Sequence, residues 1–438
     1  MPFNFQLPTT SAISLSSCIS STTHPSLPHV ATTQRNILRN VLKKHKRLES
    51  QARASNLATV HAALDDYISY AFVLDAGLSG RPVNAEEVEL SLRKEIEVQW
   101  RSTLSSTRSG VEHRRVKGKG LDFEIDFVLS CAAYTHVATS RSSLLTIYGQ
   151  IVPSVEQRVK VIQNATKNLL AAASIHSYLA SRTIETDASQ AVIETLSQTH
   201  SALSSLALAE ATLLAVLKDD PHPFVIAQER NKDDKDWMIK APEIPKVRAH
   251  LFARLCLAAA EHAGTAEAGL SATGRVDRDL IEYVGDLRWT ARAKACRFFG
   301  IDAELEGETG KAIAWLQGAK EQLGFALDDE SRAGTIAGLR KLKKDWKEKR
   351  EDKKIEKGGE WGGDAGRLEE LRIIKHLEAK WTKMNDTVGS VVSIFRCHVS
   401  NRPTDKHSID STFRLSHSEH ALWTRHPFDP CVCETEPR

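Results

Sequence analysis

The feature that most constrains this chain is a succession of long apolar patterns at helical spacing. Leu57, Val60, Leu64, Ile68 and Ala71 recur three and four residues apart, as do Leu121, Ile125, Val128, Leu129 and Ala132. Side chains so spaced share one face of a helix, whereas a strand turns alternate residues to opposite faces. Residues 188–217 are loaded with Leu and Ala without Gly or Pro, and predict another long helix. Helical patterns resume over 247–263, 279–299 and 304–323, the last resembling the second helix of a tetratricopeptide hairpin. A chain of such stripes has to bury helix against helix. The predicted fold is all-α, and with no strict repeat it is an irregular solenoid with a tetratricopeptide-like core.

Punctuation divides the pattern. Ser154 and Gln157 after Pro153 form a capping box for a helix running to about Arg182, and Ala171, Ala172 and Ala173 in its middle allow a close neighbour. The segment 219–246 is charged and holds four prolines, so it reads as a surface insertion. Region 103–120 is polar and basic and reads as a loop. Alternation of Phe3, Phe5 and Leu7 permits a short N-terminal strand. After Gly358, Gly359, Gly362 and Gly363, a last helix places Leu368, Leu371, Ile374, Leu377, Trp381, Met384 and Val388 on one face. The expectation is one elongated, curved helical domain over 1–388 and a disordered or poorly packed tail over 389–438.

Charge is uneven although the net value is only +3. No acidic residue precedes Glu49, while Arg35, Arg39, Lys43 and Lys46 recur at spacings of four, four and three. They predict a basic helix face for an anionic membrane or an acidic partner, with Ile37, Leu38, Val41 and Leu42 packed inward; a solvated face is the alternative. Residues 340–357 form a second run, with ten Lys or Arg against five Asp or Glu. The seven cysteines are odd in number, and Cys131, Cys256 and Cys296 lie in apolar helical patterns, which suits a reducing compartment. No apolar run is read as approaching the roughly 20 residues of a membrane span. The first 34 residues lack the charged start and apolar stretch of a signal peptide, so the chain is expected to be soluble and intracellular.

No catalytic motif emerges. HExxH, GxSxG and a GxGxxG between strand and helix are all missing from the sequence. Gly307–Lys311 superficially resembles a phosphate loop, but Ala312 stands where a magnesium-binding hydroxyl is needed and no strand precedes it; a helix-hairpin turn is expected. Cys431, Cys433 and His426 lack a second ligand pair, and Cys131 and His136 are five residues apart on one helix and do not face each other. The reading therefore assigns no catalytic residue, no metal ligand and no cofactor.

Three segments carry a family likeness. Leu121–Leu129, with Glu124 four residues before Val128-Leu129, resembles a Bro-domain pattern that often continues with Asn where this chain has Cys131. Leu206–Ala211 resembles the family's LMLAQAQ run, and Ala291–Phe325, with Gly310 and Ala312, resembles its closing hairpin. The likeness covers roughly 1–388. Its opening, Met1–Pro28, and the stretch Trp381–Val388 resemble the branch of the family that acts in fungal alkaline-pH signalling.

The resemblance implies a curved helical domain without the second, YPxL-gripping domain of the related Alix and PalA proteins. It implies a non-enzymatic cytoplasmic adaptor, recruited to plasma-membrane or endosomal sites. There it would link ESCRT-III to a membrane pH-sensing complex and support proteolytic activation of the transcription factor PacC. The family's patch for the ESCRT-III C-terminal helix, carried over by position, falls on Ala215 and Lys218 and on Leu251 and Leu255. The family usually has an aromatic residue at the first position, so Ala215 is a departure. Helical period alone does not separate an exposed anchor from a core leucine at Leu251 and Leu255. The other reading is a helical-repeat RNA- or chromatin-associated protein using its basic runs. Against it, aromatic residues make up only 6% of the chain, too few for stacking platforms.

Overall fold

The apolar stripes become the buried faces of long helices. The computed structural model describes residues 2–105, 114–148, 154–182, 192–229, 246–325 and 362–388. Among them, ten α-helices run in order: α1 Leu27–Arg47, α2 Ser50–Leu78, α3 Gly120–Leu145, α4 Val155–Ser181, α5 Ser197–Asp219, α6 His222–Glu229, α7 Lys246–Ala272, α8 Arg278–Leu305, α9 Thr309–Gln322 and α10 Arg367–Val388. Each long helix packs on the next, from α1 to α5, then α5 on α7, α7 on α8 and α8 on α9; α10 folds back over α6, α8 and α9. This neighbour-to-neighbour stacking is the expected irregular solenoid.

Local chemistry explains several boundaries. Ser154 Oγ accepts from Gln157 N at 3.2 Å, and Gln157 Oε1 accepts from Ser154 N at 3.0 Å, so the predicted capping box opens α4. Ala172 and Ala173 are buried, and Ser204 Oγ of α5 reaches the Ala173 carbonyl at 2.9 Å, the close approach that the alanines allow. Gly307 ends α8 with a φ of 81°, which makes the Gly307–Lys311 segment a helix-hairpin turn. In α10, Leu371, Ile374, Leu377 and Trp381 are buried as predicted, whereas Met384 is exposed.

The N-terminal third departs from expectation. Phe3 to Leu7 pairs with no strand; instead Phe5 stacks on Tyr134 at 4.7 Å and Phe3 meets Tyr283 at 5.2 Å, so alternation reflects packing of an extended segment. Strands β1 (Ile19–Ser21) and β2 (Leu90–Leu92) form one antiparallel pair, and β3 (Glu97–Arg101) and β4 (Arg115–Lys119) form another. Part of the predicted loop 103–120 is therefore strand β4. Gly118 leaves room for the Phe123 ring, whose nearest atom would stand 2.2 Å from an added Cβ, and Gly120, at φ 84°, turns β4 into α3.

Arg35 overturns its place on the basic face. It sits on the inward stripe of α1 with Ala31, Leu38 and Leu42 and has 0% exposure. Arg35 Nε and Nη2 donate to the two oxygens of Glu124 on α3 at 2.7 and 3.1 Å. Arg35 Nη1 also donates to Ser11 O at 2.8 Å, and Nη2 to Thr10 Oγ1 at 2.7 Å. Glu124 also accepts from Tyr67 Oη at 3.0 Å and Trp100 Nε1 at 2.6 Å. Burial alone would lower the Arg35 pKa, but Glu124 and Tyr67 outweigh it and raise the value. A period of four basic residues cannot distinguish an inward cation with a distant partner from a solvated one.

Other corrections follow the same logic. Helix α5 starts at Ser197 rather than 188, after a 3₁₀ turn at Ile193–Thr195. The segment 219–246 is not wholly a surface insertion, because Asp220, His222 and Pro223 are buried at the start of α6. Helix α5 is also long and apolar enough to cross a membrane, contrary to the sequence reading, but it packs between α4 and α7 and buries Glu210. The basic run 340–357 and the tail 389–438 lie outside the described residues.

Breaking one side of the Arg35–Glu124 pair leaves an uncompensated buried charge, which costs about 3–5 kcal/mol. Glu124→Ala should lower unfolding free energy by that amount in urea titrations, and Arg35→Met combined with Glu124→Leu should recover part of the loss. A Glu124→Ala loss below about 1 kcal/mol would show that the pair is not integral to the core.

Candidate partner-binding surface

The carried-over residues lie on two adjacent helices. Leu251, Leu255, Ala258 and His262 repeat at four, three and four along α7. The same stripe reaches Gly269, where an added Cβ would stand 2.9 Å from Cβ of Ala202 on α5. This flank of α7 therefore faces α5. Leu251 is 51% exposed, while Leu255 is half-buried against a core cluster that includes Val216 of α5, Phe252 and Phe298. Ala215 is exposed on the outer crest of α5, next to buried Val216.

Lys218 lies to the other side of that crest. It continues the stripe of Ala211 and Leu214, which pack with Ile162, Ala165 and Leu169 of α4, so its flank faces α4. Its Nζ stands 3.8 Å from Asp219 Oδ2. Ala215 and Lys218 lie three residues apart on α5, and Leu251 and Leu255 four residues apart on the neighbouring α7. An exposed leucine, a small crest residue and a flanking lysine suit an amphipathic helix with acidic residues on its polar side.

What fixes α5 beneath this surface was only partly legible. His200 Nδ1 meets His176 Nδ1 of α4 at 3.3 Å; burial pushes the His200 pKa down to about 4, and burial with His200 nearby holds His176 well below its ordinary value. Glu210, inside the LALAEA run, accepts from Tyr283 Oη of α8 at 2.7 Å and from Phe3 N at 3.0 Å. Burial raises its carboxyl to about 7 against the opposing pull of Tyr283, Phe3 and Arg141. Just beyond the end of α5, Asp220 Oδ2 accepts from Arg297 Nη2 at 2.6 Å, and Arg297 Nε also donates to Glu370 of α10 at 2.5 Å. Burial works against the Asp220 carboxylate, yet Arg297 and then His222 hold its pKa well below the usual range. An acidic residue in an apolar run was the available signal for Glu210, but its partners are remote in sequence.

These buried charges are structurally compensated, and the Cys131 thiol is pushed up to about 12 by burial, which disfavours the reactive thiolate. His136 turns instead to Asn168 Oδ1 at 2.8 Å. On α1, Arg39 and Lys43 are half-exposed and Lys46 is exposed, which leaves three of the four basic-face residues at the surface.

Stacked long helices closed by a returning C-terminal helix define a Bro1-type domain, and solved structures share the fold. The ALIX BRO1 CHMP4C complex matches with a TM-score of 0.51 at 13% identity, covering 89% of this chain and 89% of that one. ALIX in complex with the SIVmac239 PYKEVTEDL late domain matches with a TM-score of 0.52 at 13% identity, covering 89% of this chain and 46% of that one. No family model matches the sequence. The pH-response regulator protein palC of Emericella nidulans is 44% identical over 442 residues, covering 93% of this chain and 87% of that protein. The chain belongs to the palC family of pH-response regulators.

The raised carboxyl of Glu210 has a defined sign. Its folded value of about 7 exceeds the ordinary 4.5, so its contribution is full below about pH 4.5 and is lost as pH rises to about 7. His200 acts oppositely, losing stability as pH falls from about 6.5 to about 4. Glu210→Gln keeps an acceptor but removes the titration. Relative to the unsubstituted protein it should gain about 3 kcal/mol between pH 4.5 and 7.5, read from urea midpoints across that range. Parallel pH profiles would reject the assignment.

Proposed function

We propose that this chain is a non-enzymatic cytoplasmic adaptor of fungal alkaline-pH signalling. It binds the C-terminal helix of the ESCRT-III filament subunit and links it to the membrane pH-sensing complex at plasma-membrane or endosomal sites. This supports proteolytic activation of PacC. The observation that carries the reading is Leu251, half open to water on the flank of α7 that faces α5, in a chain of the palC family. A free-standing leucine there is better explained as an anchor than as core. The solved ALIX domain of the same fold is in complex with CHMP4C, which supports the choice of partner class. Ala215 leaves the crest low, so the partner helix can approach α5 closely and take its apolar contact from Leu251 and Leu255, with Lys218 meeting its acidic side.

Leu251→Asp places an unpaired charge where the partner's apolar face must lie. Binding of a purified ESCRT-III C-terminal helix, measured by calorimetry, should weaken by at least about 3 kcal/mol, roughly 150-fold. The melting temperature should stay within a few degrees, because an exposed leucine contributes little to the core. Unchanged affinity with a folded protein would move the site elsewhere, and unfolding would return Leu251 to the core.

A further inference from the structure

Two histidines from neighbouring helices meet where α2 packs on α3. His61 of α2 and His136 of α3 are half-buried, and their ring centroids lie 4.6 Å apart, the planes tilted at 59° rather than stacked. The hydrogen bonds around them assign the proton on each ring. Thr139 Oγ1 donates its only proton to Thr135 O at 2.8 Å, so towards His61 Nε2, 3.0 Å away, it can only accept. Asn168 Nδ2 donates to Asn164 O at 2.9 Å, which leaves Asn168 Oδ1 to accept from His136 Nδ1 at 2.8 Å.

His61 therefore carries its proton on Nε2 and His136 on Nδ1. The lone pairs of His61 Nδ1 and His136 Nε2 accept from no donor among the described residues. A metal-ligating imidazole has this form: a neutral ring whose other N–H is spent on a fixed oxygen. Burial first, and then His136, hold the His61 pKa below its ordinary value against a smaller upward pull from Asp65, so the ring is neutral near pH 7. With metal–nitrogen bonds of 2.0–2.1 Å, two imidazoles on one ion have centroids about 4.5 Å apart at a right angle and about 5.2 Å at a tetrahedral one. The separation in this protein falls inside that span. Two acceptor nitrogens on rings this close have no proton to share, whereas one cation satisfies both.

We propose that His61 and His136 bind a divalent first-row transition ion of the zinc and copper class, which clamps α2 to α3. Imidazole nitrogen selects such ions over magnesium and calcium, which take oxygen. No third His, Cys, Asp or Glu joins the pair among the described residues, so water completes the coordination and the ion exchanges. Asp65, exposed one turn from His61 on α2, adds a negative charge that favours a cation. The pair is independent of the partner-helix site, which lies on α5 and α7.

The test is zinc titration by calorimetry of the full chain carrying Cys397→Ser, Cys431→Ser and Cys433→Ser, so that these three thiols do not compete for the ion. One zinc ion per chain should bind and magnesium should not. Binding should weaken from about pH 7.5 to about pH 5.5 as the histidines take up protons. His61→Gln and His136→Gln should each remove this ion. Thr139→Val keeps both ligands but deprives His61 Nε2–H of its acceptor, and should weaken zinc binding about 10- to 100-fold. A pair that merely packs would show no such dependence on Thr139. If one histidine variant unfolds, the other and Thr139→Val decide. No zinc bound, equal binding of magnesium, zinc binding that survives both histidine variants, or unchanged affinity in folded Thr139→Val would each overturn the proposal.

Discussion

A guanidinium with no access to water cannot remain charged without a fixed counter-ion, and Arg35 has its counter-ion in Glu124. The N-terminal third is built around that requirement. Glu124 comes from α3, Tyr67 from α2, Trp100 from β3, and Thr10 and Ser11 from the extended N-terminal segment. Each guanidinium nitrogen of Arg35 donates at least once, and each carboxylate oxygen accepts two hydrogen bonds. Five separate pieces of chain must therefore meet at one point in one register. Apolar stripes give helices a preferred side but tolerate sliding; a buried, bidentate charge pair does not.

The C-terminal half repeats the device with different residues. Arg297 of α8 joins Asp220, at the end of α5, to Glu370, which arrives on α10; Lys294 Nζ adds a second cation to Glu370 at 2.6 Å. Leu371, Ile374, Leu377 and Trp381 of α10 supply the larger apolar burial, while Glu370 specifies where on α8 that helix seats. Glu210, between these two centres, ties α5 to α8 and to Phe3.

Period made the helices legible, because apolar burial acts through spacing within one segment. The stripes of α2, α3 and α10 and the capping box of α4 could be read from neighbouring residues alone. The polar centres could not be read that way, since Arg35 and Glu124 are 89 residues apart. For the same reason Arg35 was indistinguishable from Arg39 and Lys43 until its inward direction was known. Strand β4 was missed because Arg115–Lys119 carries the basic and glycine composition of a loop; its pairing comes from β3, and its glycine serves the Phe123 ring. Of the candidate site, Leu251 is exposed and Leu255 half-buried, a difference that helical period alone did not give.

These facts separate what holds the chain from what it can offer. Helix α5 uses its inner side for His200 and Glu210 and its end for Asp220, so its crest at Ala215 carries no structural duty. The neighbouring flank of α7 is anchored through Phe252, Ala253 and Cys256, which leaves Leu251 unencumbered. A surface of this kind can change its side chains without disturbing the core. Because the supporting contacts are directional, they fix how α5 sits against its neighbours. The frame beneath α5 and α7 is thus settled from within, by contacts that leave Ala215 and Leu251 facing outward.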